Sequence, residues 1–206
     1  MFGETIEGKD IIVISKIGNR LIEIPAGFMK DGGRAVITGD AMEPQDWSEF
    51  YGIGAGYSLE LRNTQNEIPA CAFENDENLK AVTASLVEKI GRRAFRYCFS
   101  LESACFQGVR AIGKAAFHGC QSLKNVCFEN AEDISSQAFM GCRRLEAAVF
   151  PKVRYIGVMA FDACHSLKSV YIPCVGNKRM LAYSGLVGGG QHESLEKGRC
   201  LTSTNS

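Results

Sequence analysis

The sequence lacks the features that mark several common classes of protein. It has no excess of charge of either sign, because Lys+Arg and Asp+Glu each number 23. This balance argues against a nucleic-acid or anionic-membrane binder, which needs a basic excess. The longest apolar runs, such as Ile11–Ile14, are far too short to cross a bilayer. We therefore expect no nucleic-acid partner and no membrane insertion.

Two further absences concern targeting and cysteine chemistry. No basic segment followed by an apolar stretch opens the chain, so no signal peptide is visible, and on this ground a cytoplasmic location is expected. The 9 cysteines include no Cys-x-x-Cys pair, and an odd number cannot form a closed set of disulfides. The 206 residues are enough for one globular domain with a core. We expect neither a metal site nor a cofactor.

The dominant feature that is present is an internal repeat of 22 residues. An Ala-Phe dipeptide recurs at this step, with the phenylalanines at Phe73, Phe95, Phe117, Phe139 and Phe161. An isoleucine precedes each Phe by five positions and a leucine follows it by six. In four of the five units a cysteine follows the Phe by three positions. A period that every column shares indicates one structural unit stacked five times.

Each unit can be interpreted as one coil of a solenoid. After the repeat leucine, apolar residues two apart, such as Val126 and Phe128, indicate a strand. A second short apolar pair follows, and Ala-Phe-x-x-Cys then has the spacing of one helical or 3-10 turn. The predicted fold is a mainly β repeat solenoid, with parallel stacked strands and short helical or 3-10 turns on the convex side.

The repeat motif resembles a known family. The segment Ile156-Gly-Val-Met-Ala-Phe-Asp-Ala-Cys-His-Ser-Leu-Lys-Ser-Val-Tyr-Ile-Pro173 is similar to the BspA-type leucine-rich repeat. The resemblance implies a leucine-rich-repeat solenoid whose strands line a concave face. It also implies a binding protein rather than an enzyme, often a bacterial adhesin at the cell surface. The resemblance implies a cell-surface or secreted location, whereas the missing signal peptide implies a cytoplasmic one. Both locations stay open.

The repeat frame divides the chain into four segments. Residues 67–174 hold the five full repeats, and residues 175–187 form a C-terminal half-repeat cap. Residues 188–206 are rich in Gly, Ser and Thr and are predicted to be a disordered tail. We interpret residues 1–66 as an N-terminal cap with a hairpin at Gly18-Asn19 and degenerate repeat units. A small separate β-domain remains the alternative for this segment.

The cysteines that recur at the 22-residue step are expected to be buried. They form a line with one thiol per coil, whereas metal ligands converge on one point, and cysteine fills small apolar sites well. They are Cys98, Cys120, Cys142 and Cys164. The three histidines occupy different repeat positions, so no nucleophile, base and orienting group share a neighbourhood. We expect no catalytic residue and no enzyme.

Charge alternates at one repeat position. The residue after each repeat leucine is Lys80, Glu102, Lys124, Glu146 or Lys168. Stacking makes these residues lateral neighbours, so opposite charges are adjacent along the solenoid, each contact contributing about 0.2–1 kcal/mol. The pattern predicts that these charges help to set the register in which the coils stack.

The outward positions of the predicted strands supply the candidate binding site on the concave face. They are small and mostly uncharged, become more apolar towards the C-terminal units, and include Tyr171 as the expected anchor. The candidate residues are Ala81, Thr83, Ser103, Cys105, Asn125, Cys127, Ala147, Val149, Ser169 and Tyr171. The predicted function is a protein–protein interaction scaffold that binds a protein or peptide ligand. The alternative is a structural module that self-associates into a homo-oligomer through its solenoid edges.

Overall fold

The structure is a computed structural model, and it describes residues 11–17, 20–21, 34–39, 56–62 and 66–171. Within these ranges the regular elements are all strands, and no helix is present. The predicted C-terminal cap at 175–187 and the predicted tail at 188–206 lie outside the described residues.

The described strands alternate between longer and very short segments. In the N-terminal part they are β1 (Ile11–Ile17), β2 (Arg20–Leu21), β3 (Arg34–Gly39), β4 (Tyr57–Arg62), β5 (Glu67–Ile68), β6 (Leu79–Ala84) and β7 (Lys89–Ile90). In the C-terminal part they are β8 (Ser103–Phe106), β9 (Ala111–Ile112), β10 (Asn125–Cys127), β11 (Asp133–Ile134), β12 (Ala147–Val149), β13 (Tyr155–Ile156) and β14 (Ser169–Tyr171).

The strands stack into sheets that run along the solenoid. One sheet has the order β10-β8-β6-β4-β3-β1-β2, a second has the order β13-β11-β9-β7-β5, and β12 pairs with β14. The pairs are parallel except for β1 with β2, where Lys16 opposes Leu21 around the predicted hairpin position. Strands β1, β3 and β4 therefore continue the sheet formed by the repeats. The predicted parallel solenoid fold is confirmed.

The core is built from two columns of stacked phenylalanine rings. The repeat phenylalanines stack with centroids 5.1 to 5.3 Å apart and rings within 8° of parallel. A second column, Phe106, Phe128 and Phe150, stacks at 5.6 and 6.1 Å and contacts the first. Buried aromatic pairs of this kind contribute about 0.5–1.5 kcal/mol beyond their burial. Each coil therefore contributes rings that pack on the coils before and after it.

The segment predicted as a helical or 3-10 turn is a series of single hydrogen-bonded turns. Within the coil, the Ala94 N–H donates to the Gly91 carbonyl at 3.3 Å, whereas the next N–H, that of Phe95, donates to Ala116 of the following coil at 2.8 Å. This alternation recurs in the other coils. Half of the turn N–H groups are therefore used between coils, so the turn does not become a continuous helix.

Left-handed residues flank each repeat phenylalanine and enforce this alternation. The second residue before and the second residue after each Phe have φ between 55° and 75°. These residues are Cys71, Asn75, Arg93, Tyr97, Ala115, Gly119, Gln137, Gly141, Met159 and Ala163. The conformation costs about 1–2 kcal/mol for a residue other than Gly. The hydrogen bonds between coils offset that cost.

The repeat cysteines are buried hydrogen-bond donors. Each thiol donates to the carbonyl of the repeat phenylalanine in the preceding coil, at 3.0 to 3.2 Å, and the side chains are 0 to 3% exposed. Burial raises the pKa of Cys98, Cys120 and Cys142, so these thiols stay protonated and keep donating. The prediction that the column is buried is confirmed.

Asp76 takes the cysteine position in the first repeat, and it is 3% exposed. Its carboxylate accepts hydrogen bonds from the Tyr57 hydroxyl at 2.5 Å and from the backbone N–H groups of Asn78 and Leu79 at 2.9 and 3.1 Å. Burial raises the pKa of Asp76, although these three donors oppose the rise. The carboxylate therefore ties β4 to the first repeat, at the position where the other repeats have a cysteine.

Two glycines allow close contact between successive coils. A Cβ added to Gly113 would lie 2.7 Å from the carbonyl carbon of Gly91, and a Cβ on Gly91 would lie 2.6 Å from the backbone nitrogen of Ala70. Both distances are shorter than atoms tolerate without moving the backbone. These positions exclude a side chain because the coils meet there.

We expect Phe117→Ala to lower the free energy of unfolding by about 3–5 kcal/mol, because it removes a fully buried ring between Phe95 and Phe139. Chemical denaturation measures the loss. The matched control is Phe99→Ala, which removes a ring that is 39% exposed and should cost less than about 1 kcal/mol. Equal losses in the two variants would contradict the stacked core.

The raised pKa of Asp76 predicts a pH dependence of stability. A carboxyl group whose pKa is higher in the folded state contributes stability below its unfolded pKa of about 3.9 and loses it as the pH rises through the folded value. Relative to Asp76→Asn, which has no charge to titrate, the wild-type protein should lose stability between pH 4 and pH 7. Urea denaturation of both proteins at the two pH values measures the difference, and a constant difference would contradict the raised pKa.

Candidate ligand-binding face

Along the longer repeat strands, successive side chains alternate between the core and the surface, although Val126 of β10 is only partly buried. On the inward side, Val82, Ala104 and Ala148 are at most 1% exposed, whereas their neighbours Thr83 and Val149 point outward and are exposed. The alternation follows from the pleat of a strand, whose successive side chains leave opposite faces. The sequence frame therefore assigned the correct face to these residues.

All ten candidate residues lie on this outward face, in two rows that cross the strands, and we call the set the strand face. One row contains Ala81, Ser103, Asn125, Ala147 and Ser169. The other row contains Thr83, Cys105, Cys127, Val149 and Tyr171. Within each sheet the members of a row are directly opposite one another. Strands β10 and β12 are neighbours that belong to different sheets.

The two rows extend one strand further towards the N-terminus than the sequence predicted. Ser58 of β4 opposes Ala81, and Glu60 opposes Thr83. The register shifts next to this pair, because Tyr57 opposes Leu79 and leaves one residue of β6 without a partner. Across this bulge the chain step between opposed residues changes from 22, between Tyr57 and Leu79, to 23, between Ser58 and Ala81. The shift of period is the reason that the frame missed Ser58 and Glu60.

The C-terminal end of the strand face is its apolar part. Val149 and Tyr171 are opposite each other on β12 and β14, and their side chains are 53% and 48% exposed. The residues beside them in the other row, Ala147 and Ser169, are small and exposed. An exposed aromatic side chain beside an exposed branched one offers apolar surface that a ligand can cover.

None of the ten residues of the strand face is charged; charges lie beside it, and Glu60 of β4 stands at the N-terminal end of one row. In the ladder after the repeat leucines, the Lys168 ammonium donates to Glu146 at 3.0 Å. Glu88, Arg110, Glu132 and Arg154 form a second ladder that alternates in the same way, in which Glu132 pairs with Arg110 at 3.7 Å and with Arg154 at 3.6 Å. Because these groups are mostly exposed, each pair contributes at most about 1 kcal/mol.

The basic residues of the second and third repeats are partly engaged in ion pairs. Arg93 donates through its Nε to Glu74 at 2.9 Å, and Arg96 donates to the same carboxylate at 3.1 Å. The Arg96 guanidinium also lies 4.3 Å from the centre of the Tyr97 ring, and His118 contacts that ring edge-on. Burial and the nearby Arg96 lower the pKa of His118. This cluster joins three successive coils on the turn side of the solenoid.

Two further kinds of site are absent from the part of the chain that the structure describes. Among the described residues, no three His, Cys, Asp or Glu side chains converge in a way that could hold a metal ion. None of the described segments forms a helix with the length and apolar character needed to cross a bilayer.

Solved structures with a similar fold come from bacteria. A leucine-rich repeat protein of T. pallidum is 27% identical and matches with a TM-score of 0.53, covering 74% of this chain and 72% of its own. A leucine-rich cell surface protein of Faecalibacterium prausnitzii is 19% identical with a TM-score of 0.52, covering 79% of this chain and 48% of its own. The second likeness concerns the fold alone. No curated protein matches the chain.

The sequence profile of one family covers most of the repeat region. The profile of the BspA type leucine-rich repeat region matches residues 47–168 in six copies. The match begins ahead of residue 67, in the segment to which the sequence frame assigned degenerate units. It spans more than half of the chain and contains strands β4 to β13. The chain therefore belongs to the BspA-type leucine-rich repeat family.

Proposed function

We propose that this protein is a non-catalytic binding scaffold that takes a protein or peptide ligand on the C-terminal half of its strand face. The observation that carries the proposal is the in-register pair Val149 and Tyr171, exposed side by side. Membership of a leucine-rich repeat family supports the general role of a scaffold for protein interaction. The position of the ligand and an adhesin-like role are parts of the proposal.

The rigidity of the face favours binding. Its strands are held by ladders of backbone hydrogen bonds and by the phenylalanine columns beneath them. A preformed surface loses little conformational entropy when a ligand docks. The Tyr171 ring can supply a large apolar contact together with a hydroxyl group that hydrogen-bonds the ligand backbone.

The composition of the face supports binding rather than catalysis. Its ten residues include hydroxyl and thiol groups, but none of them is a His, Asp, Glu or Lys that could act as a general base. Their neutrality also favours an uncharged, apolar ligand segment over a strongly charged one.

Self-association through the sheet edges is the second candidate function. Among the described strands, β14 pairs with β12 on one side and ends the sheet, and an edge strand can add the strand of another molecule. In that case the partner would be a second copy of this chain.

We expect the double variant Val149→Asp and Tyr171→Asp to weaken ligand binding at least tenfold, because two charges would have to be desolvated where apolar contacts form. The probes are peptides selected from a random displayed library against the immobilised full chain. Binding of each selected peptide to both proteins is measured by calorimetry.

The matched control is Tyr155→Asp with Val158→Asp. These side chains are 52% and 50% exposed and lie off the strand face, on β13 and in the turn segment that follows it. The control should retain binding of the selected peptides. An equal loss in the two double variants, or no loss in either, would refute this position for the ligand.

Light scattering across a range of protein concentrations separates the two candidate functions. A scaffold whose partner is a different molecule should stay monomeric, because Val149 and Tyr171 then bind that ligand and not a second copy of this chain. Growth of the mean mass with concentration would instead favour self-association.

A further inference from the structure

Two cysteines lie side by side within the strand face. Cys105 of β8 and Cys127 of β10 are directly opposite each other in the parallel ladder, and both are free and half-buried. Neighbouring strands are about 4.8 Å apart, which lies inside the range of about 4.4–6.8 Å between the Cα atoms of a disulfide. Both side chains leave the same face, and the two thiols lie within hydrogen-bond reach of each other.

We propose that Cys105 and Cys127 form a redox-active dithiol that a low-molecular-weight disulfide converts into a covalent link between the second and third repeats. The link would cross the middle of the strand face. The proposal concerns the chemistry of these two thiols and does not depend on which ligand the face binds.

The reaction is a two-step thiol–disulfide exchange. First, the Cys127 thiolate attacks a disulfide R–S–S–R, so that its S–S bond breaks, a Cys127–S–S–R bond forms, and the released R–S⁻ takes up the proton that Cys127 lost. Second, the Cys105 sulfur attacks Cys127 Sγ, the mixed disulfide breaks, and the second R–SH leaves with the proton of Cys105. The two protein sulfurs are oxidised, and the small disulfide is reduced to two thiols.

The surroundings of Cys105 make Cys127 the thiol that reacts first. Burial, the adjacent Cys127 thiol and the nearby Glu129 raise the pKa of Cys105 to about 11. Cys105 is therefore held as a thiol at neutral pH while Cys127 meets the incoming disulfide. Once the mixed disulfide has formed, its proximity in the ladder gives Cys105 a high local concentration relative to any other thiol.

The reaction requires accessibility to a small oxidant and a second thiol in register on the neighbouring strand. The other cysteines of the described solenoid do not meet both requirements. The repeat column has the same spacing, but its thiols are 0 to 3% exposed and donate to phenylalanine carbonyls, so a small oxidant cannot reach them. Cys71 is exposed, but the coil beside it places Arg92 and Arg93 at this position. Accessibility and an in-register thiol partner coincide at Cys105 and Cys127.

The test uses the native full chain and glutathione disulfide. After incubation, remaining thiols are alkylated and the protein is digested after Lys, Arg and Glu, which isolates Cys105 in residues 103–110 and Cys127 in residues 125–129. Each of these peptides contains one cysteine. We expect mass spectrometry to find the two peptides joined, and dithiothreitol to release them.

Three serine variants supply the controls. Cys105→Ser should leave a stable mixed disulfide with glutathione on Cys127, because no thiol remains to displace it, and Cys127→Ser should abolish the linked peptide. Cys71→Ser removes an exposed thiol elsewhere and should leave the yield of linked peptide unchanged. Denaturation midpoints of the variants establish that each is folded.

Two results would overturn the proposal. One is wild-type protein in which glutathione modifies Cys71 while peptides 103–110 and 125–129 stay separate, since the reagent is then active and the pair does not close. The other is a linked peptide that forms only after the protein is unfolded in urea, because the native register would then not be its cause.

Discussion

Each coil of the solenoid is tied to its neighbours through the repeat phenylalanine. The ring stacks on the rings of adjacent coils, and the backbone N–H donates to the alanine carbonyl of the next coil at 2.7 to 2.8 Å. The carbonyl accepts both a local N–H and the thiol of the next repeat cysteine. Because one residue carries all of these contacts, its position fixes the spacing of the coils. The distance between neighbouring residues in each row of the strand face follows from that spacing.

Much of this arrangement could be predicted from the sequence because the period is constant. A fixed step of 22 residues places like residues over one another, so the buried column of Cys120 and its neighbours follows from the spacing alone. The same frame assigned Val149 and Tyr171 to the outward side of adjacent strands, where the structure places them. Their role in binding is a separate matter, which stays a prediction.

Other features could not be predicted because they arise from contacts between coils. Arg93, Tyr97 and Gln137 adopt left-handed conformations that nothing in their chemistry favours, because the turn must send alternate N–H groups to the next coil. Likewise the partner of Asp76 is Tyr57, whose strand lies beyond the bulge that interrupts the period. Conformational propensities are properties of single residues, whereas these backbone conformations and hydrogen bonds are determined by contacts between stacked coils.

The alternation of charge has a consequence for how such a chain can change length. Removing one coil would bring Lys80 next to Lys124 and, in the second ladder, Glu88 next to Glu132, whereas removing two adjacent coils would restore opposite neighbours in both. Each contact is weak, but the two ladders change sign together, so their effects add. As far as charge is concerned, the smallest segment whose removal leaves opposite charges adjacent in both ladders is a pair of coils rather than a single coil.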